Sequence, residues 1–182
     1  MPVGLDGNAN PVRSERRSAV LERTVDEIMV WRKDSVPRLA VDGVDGAGKT
    51  TLADELAAVL VRRGVAVIRA TTDSFHNPRI VRWRQGRRSP EGFYRDSHNL
   101  EMLSAPLLDP VSASPARPFQ TEAFDEPSDS PRAGARGSVA LRWSLPRSPR
   151  VAAYWDYFIW VDAEQRVANE RISLATEACP EG

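Results

Sequence analysis

The segment Gly43-Val44-Asp45-Gly46-Ala47-Gly48-Lys49-Thr50 constrains this chain more than any other part of its sequence. It fits the pattern G-x-x-x-x-G-K-[ST]. It lies between a short apolar run, Arg38 to Asp42, and a helical pattern from Thr50 to Arg63 with Leu52, Leu56, Leu60 and Val61 on its inner side. Glycines let a backbone wrap a phosphate and aim several N–H groups inward. The helix that follows presents the positive end of its dipole to the same anion. The pattern therefore predicts a site for the phosphates of ATP (or GTP) with Mg²⁺. Lys49 reaches the β- and γ-phosphates, the Thr50 hydroxyl holds the metal, and Thr51 supports the nucleotide end of the helix. At average residue usage a chance match is expected in under about 1% of chains this long, so a fortuitous glycine turn is set aside.

The flanking pattern predicts the fold around the loop. Gly64 closes the helix, and Val65 to Arg69 reads as a second buried strand. Strand, helix and strand in that order imply a parallel sheet with a right-handed crossover. Before them, Leu21, Val25, Ile28 and Met29 recur at helical spacing between Ser14 and Lys33, after a loose Gly/Asn/Pro-rich start. Beyond them, Leu100 to Leu108 reads as helical, Tyr157 to Val161 as a strand and Ala163 to Ala175 as a helix. Residues 109–150 are rich in Pro, Ser, Arg and Ala without a sustained period. The expected organisation is a tail and helix over 1–36, then an α/β domain over 37–182 that is irregular over 109–150.

Composition excludes several classes of function. Formal net charge is +0 over 182 residues, so no global basic field attracts nucleic acid or anionic lipid. No run approaches the ~20 apolar residues that span a bilayer, and Met1 to Asn10 carries no apolar leader. Cys179 stands alone, which excludes a disulfide framework and fits a reducing cytoplasm. Lys33 and Lys49 are the chain's lysines and arginine supplies the rest of the positive charge, a bias with its simplest source in a GC-rich genome. A lysine kept inside the glycine loop stands out against that bias.

On the acceptor side, Asp73-Ser74-Phe75-His76 follows the second expected strand. Ligands of open α/β sheets bind beyond the carboxyl ends of strands. A carboxylate there can take a proton from an acceptor hydroxyl, a role worth ~10²–10⁴ in rate. An N-cap or turn aspartate is the equal alternative from position alone. Arg79, Arg82, Arg84, Arg87 and Arg88 form a basic cluster that is either a phosphate clamp or, as exposed charges more often are, a solvated face.

The strings VDGVDGAGKTTLADEL, DSFHNPR and RWRQGRRSPEGFYRDS together resemble the uridine kinase family of P-loop kinases. The resemblance covers about residues 38 to 130 well and 151 to 172 moderately. It implies a P-loop NTPase three-layer sandwich of the nucleoside-kinase type, acting on a small-molecule nucleoside. It implies that Asp73 and Lys49 are catalytic, with Asp73 the base for a ribose 5′-hydroxyl. It places Phe75 and His76 at the acceptor pocket, His76 standing where uridine-cytidine kinases have tyrosine. It gives Asp96 to the sugar hydroxyls, while Phe93 and Tyr94 either stack on a base or pack in the core, and His98 reads as a surface residue. Related kinases that act on phosphoribulose or pantothenate keep other small acceptors open.

The sequence departs from that family in two places. Where members have a hydrophobic strand of the form Leu-Leu-Phe-Asp-Gly-Val-Phe-Leu, this chain has Val139 to Pro146, with Arg142 and Pro146 inside it. Back-translated with suitable synonymous codons and shifted one base, those residues encode the missing string. Ile172 to Gly182, shifted two bases, encodes Leu-Ala-Arg-Asp-Arg-Gly-Val-Pro-Gly-Gly, with the Ala-Arg-Asp that opens the family's arginine-bearing lid. The expectation is a frame-disrupted chain that lacks one central strand, the acid beside Mg²⁺ and the lid. Arg171, with Arg166, is what is left of that segment, so weak or absent kinase activity is expected.

Overall fold

The structure is a computed structural model that describes residues 11–31, 37–110, 118–132 and 149–178. Helix α1 (Pro11–Trp31) buries Leu21, Val25 and Ile28, the stripe read from the sequence. Strand β1 (Leu39–Gly43) leads into the glycine loop, and helix α2 (Lys49–Arg62) leaves it. Residues 65–70 then run extended to a 3₁₀ turn at Thr72–Phe75. Short helices α3 (Arg79–Arg82) and α4 (Pro90–Asp96) follow. Helix α5 (Leu100–Leu103) continues through a π turn at Ser104–Leu108. Within the stretch expected to be irregular, β2 (Phe124–Asp125) and β3 (Ser130–Pro131) form a small antiparallel hairpin. A short helix α6 (Pro149–Ala152), strand β4 (Tyr157–Val161) and helix α7 (Gln165–Ala178) complete the described chain.

β1 and β4 pair in parallel, from Leu39 opposite Tyr157 to Gly43 opposite Val161. The Arg38 guanidinium grips the Asp156 carboxylate at 2.9 Å just before both strands begin, which pins their register. β1 is buried on both faces, as a parallel strand between two layers should be. Leu39 and Val41 face a cluster with Leu21, Val25 and Ile28 of α1 and Ala53, Leu56 and Val59 of α2. Ala40 faces a second cluster with Ile68, Ala70, Phe75, Leu103, Leu107, Leu108, Phe119 and Val151. Helix layer, sheet and second helical layer make the three-layer α/β sandwich expected from the sequence. The helix at the start of the chain shares its core with the P-loop strand and helix.

Two expectations change. The parallel partner of β1 is β4, not residues 65–69. Val65 to Arg69, expected as a buried strand, runs extended with Ile68 buried, Ala66 exposed and the rest half-buried, and joins no ladder among the described residues. Hydrophobic pattern specifies burial, and pairing needs a neighbour that the pattern does not supply. On the face of β4 that Ala40 shares, Phe158 and Trp160 are 40% and 47% exposed, so that face of the sheet shows apolar surface. The Val139 to Pro146 segment lies outside the described residues. No described helix is long and apolar enough to cross a membrane.

Candidate active site

The glycine loop has the backbone its sequence demands. Gly46 and Gly48 take φ of 75° and 95°, the left-handed region that glycine enters without steric cost. A Cβ on Gly46 would meet the Ala168 carbonyl oxygen at 2.3 Å, because α7 packs directly against the loop. A Cβ on Gly48 would find space, its nearest neighbour being Arg171 Nη1 at 3.6 Å. Helix α2 opens at Gly48 with no side-chain cap, which leaves its dipole end facing the loop. The Lys49 ammonium crosses the loop, donating to the Gly43 carbonyl at 2.9 Å and the Val44 carbonyl at 3.2 Å, and pairing with Asp45 at 3.2 Å. Ala47 N–H donates to the Val44 carbonyl, closing the turn. Thr50 and Thr51 are exposed on the first turn of α2. These features fit a nucleotide's phosphates: free space above Gly48, an uncapped helix start, one ammonium and two hydroxyls.

Arg171 comes from α7 and donates through Nη1 to the carbonyls of Gly46 and Ala47, at 3.3 and 3.1 Å. It also lines a cavity of about 400 Å³ with Arg17, Ala47, Gly48, Thr51, Leu52, Glu55 and Val161. α7 runs unbroken as helix through Ile172 to Ala178, so the first part of the segment expected to be out of frame is helical.

Asp73 sits exposed in the 3₁₀ turn after residues 65–70, capped by Thr71, whose hydroxyl donates to it at 3.2 Å. His76 and His98 face each other across an antiparallel bridge, their rings stacked at 4.5 Å and 27°. His98 is thus no surface residue. Burial and the neighbouring His76 pull its pKa down to about 4. Nothing local in the sequence signals this pair, because the two histidines meet only when the chain folds back on itself.

The other expected acceptor residues are dispersed. Phe75 is 1% exposed and belongs to the core cluster instead of lining an open pocket. Phe93 and Tyr94 stand in solvent on α4, 65% and 58% exposed. Asp96 is buried, its carboxylate taking hydrogen bonds from Arg84 at 2.9 Å and Gln85 at 2.6 Å, which hold it below the usual carboxylate range. In the arginine cluster Arg82 is buried, while Arg79, Arg84, Arg87 and Arg88 are exposed. Arg82 is buried against Glu126 and Asp129, Arg84 holds Asp96, and Arg79 and Arg87 lie over the Trp83 ring. The sequence also gave no hint of Asp42, buried at the end of β1 and accepting from the Gly43 N–H at 2.7 Å.

A parallel strand pair between helical layers, with a glycine loop from strand to helix, is the arrangement of a P-loop α/β fold. No family model matches the chain, and no curated protein matches it in sequence. Solved structures do match. One is described as a "possible uridine kinase" from Bacillus stearothermophilus, with TM-score 0.67 and 17% identity over 91% of this chain and 92% of that one. Another is a "putative fructose transport system kinase" from Silicibacter sp. TM1040, with TM-score 0.68 and 20% identity over 89% of this chain and 84% of that one. At these identities the likeness establishes the fold.

Proposed function

We propose that the chain is a nucleotide-dependent phosphotransferase that moves the terminal phosphoryl group of ATP (or GTP) to a hydroxyl of a small molecule, with Mg²⁺ held at Thr50. The observation that carries the reading is the loop itself: left-handed Gly46 and Gly48, Lys49 across the loop carbonyls, and an uncapped start of α2. Lys49 and the α2 amides balance phosphate charge and orient the terminal group. Mg²⁺ bound there neutralises charge that develops during transfer. Asp73, exposed in the turn after residues 65–70, takes the proton from the acceptor hydroxyl.

The acceptor we infer is the ribose 5′-hydroxyl of uridine or cytidine. Its support is the motif resemblance and a structural neighbour described as a possible uridine kinase. A different small acceptor is the second reading, favoured by two observations. The Asp96 carboxylate is already engaged by Arg84 and Gln85, and Phe75 is closed inside the core. A third reading, a nucleotide-binding protein with impaired catalysis, is supported by Arg171 spent on loop carbonyls. Mg·ATP turnover against uridine, cytidine, fructose and pantothenate separates them. Uridine- or cytidine-dependent ADP release supports the first reading and turnover with another acceptor the second. Nucleotide binding without turnover supports the third.

A further inference from the structure

We propose that Asp73, His76 and His98 form a binding site for a divalent transition-metal ion of the zinc type, distinct in ligand chemistry from the Mg²⁺ at Thr50. The backbone brings the ligands together. Asn77 N–H donates to the Ser97 carbonyl at 2.9 Å and Asn99 N–H to the Phe75 carbonyl at 2.7 Å. These two bonds flank His76 and His98, which makes them the non-hydrogen-bonded pair of the bridge, the kind with the closer side chains. Asp73 lies one 3₁₀ turn before His76. A ligand atom from each of the three side chains lies within 4.8 Å of the other two. Tetrahedral zinc with bonds of ~2.1 Å needs separations of about 3.4 Å, a contraction within reach of side-chain rotation.

Two hydrogen-bonding facts favour a ligand role. His76 Nδ1 is 2.8 Å from the Asp73 carbonyl oxygen, so Nδ1–H donates and Nε2 keeps its lone pair. Metal-binding histidines are oriented by this kind of outer bond. His98 Nε2 is buried without a hydrogen-bond partner, a state that costs about 1–3 kcal/mol and calls for an explanation. Two imidazoles and one carboxylate suit zinc, cobalt or nickel far better than magnesium, and leave a coordination position open. The charged groups that bear on His98 are the Asp73 and Asp45 carboxylates and the Arg82 guanidinium. Arg82 is already paired with Glu126 and Asp129, so the site is not positively biased.

The site shares Asp73 with the proposed acceptor base. Metal occupancy and proton transfer then exclude each other, and zinc would act as an inhibitor; this consequence alone rests on the kinase reading. The direct test needs no nucleotide. Chelator-stripped full-length protein is titrated with Co²⁺ and followed by visible d–d absorption, then with Zn²⁺ by calorimetry, both in excess Mg²⁺. One equivalent is expected to bind, Zn²⁺ displacing Co²⁺ and Mg²⁺ displacing neither. His98→Gln and His76→Gln are each expected to weaken binding by roughly ten-fold or more. Circular dichroism checks that each variant is folded, and His76→Gln carries the test if His98→Gln is not. No Co²⁺ spectrum from folded protein, or binding that a folded variant leaves unchanged, overturns the proposal.

Discussion

Gly46 and Gly48 have different tasks in the phosphate loop. Gly46 combines a φ of 75° with the Ala168 carbonyl at 2.3 Å from a would-be Cβ, so Gly46→Ala strains the backbone and pushes α7 away. A loss of about 1–3 kcal/mol is expected in urea denaturation. Gly48→Ala meets nothing closer than 3.6 Å and costs its backbone strain alone, about 1–2 kcal/mol. Lys49→Ala removes the ammonium that crosses the loop and is expected to lower Mg·ATP turnover by ~10²–10³, with folding retained. The aromatic residues separate in the same way. Phe75→Ala empties a fully buried site and should cost about 3–5 kcal/mol, whereas Phe93→Ala, at an exposed site, should stay within about 0.5 kcal/mol. The loop was legible residue by residue because its chemistry is local: eight consecutive positions set both conformation and ligand. The exposure of Phe93 and the closure of Phe75 were not, because an aromatic side chain suits a core and a pocket equally well.

At the scale of elements, helices were read more surely than pairings. Leu21, Val25 and Ile28 announce the inner face of α1, and Leu52, Leu56 and Leu60 that of α2, by spacing alone; Val61, expected on the same side, is 59% exposed, and Val59 is buried in its place. The β1–β4 pair joins Leu39 to Tyr157 across most of the chain, and no periodicity encodes a partner so distant. Val65 to Arg69 shows the limit from the other side, since of the buried strand expected there only Ile68 is buried and no ladder forms among the described residues. The arginines of α3 and its following turn were visible as a cluster, yet their acidic partners Asp96, Glu126 and Asp129 come from α4 and the β2–β3 turn. That bracing has a pH signature. Arg84 and Gln85 hold Asp96 below its ordinary 3.8, so the folded state releases this proton more readily than the unfolded state. The stabilisation is complete above that ordinary value and is lost as pH falls through it toward the depressed one. Arg84→Ala is therefore expected to destabilise the protein at neutral pH, with the gap from wild type shrinking in acid. Urea titrations from neutral pH downward measure it, and a gap that is independent of pH contradicts it.

For the whole molecule, two apolar clusters sandwich one strand, and the carboxyl end of that strand carries the site. Ala47, buried at that end, ties the phosphate loop to the core, so filling the loop should reinforce both. A ligand at one hundred times its Kd adds about 2.7 kcal/mol, which for a domain of this size raises Tm by roughly 5–10 °C. Mg·ATP should produce such a shift and Lys49→Ala should abolish it. The apolar side chains exposed on β4, Phe158 and Trp160, are a separate liability of the same architecture and invite association at high concentration. The claim beneath all of this is that the Gly43 to Thr50 loop holds nucleotide phosphates. Calorimetric titration of the folded chain with Mg·ATP tests it most directly. One saturable site, lost in folded Lys49→Ala, is the predicted result; no heat with Mg·ATP or Mg·GTP, or binding that Lys49→Ala leaves intact, would contradict it.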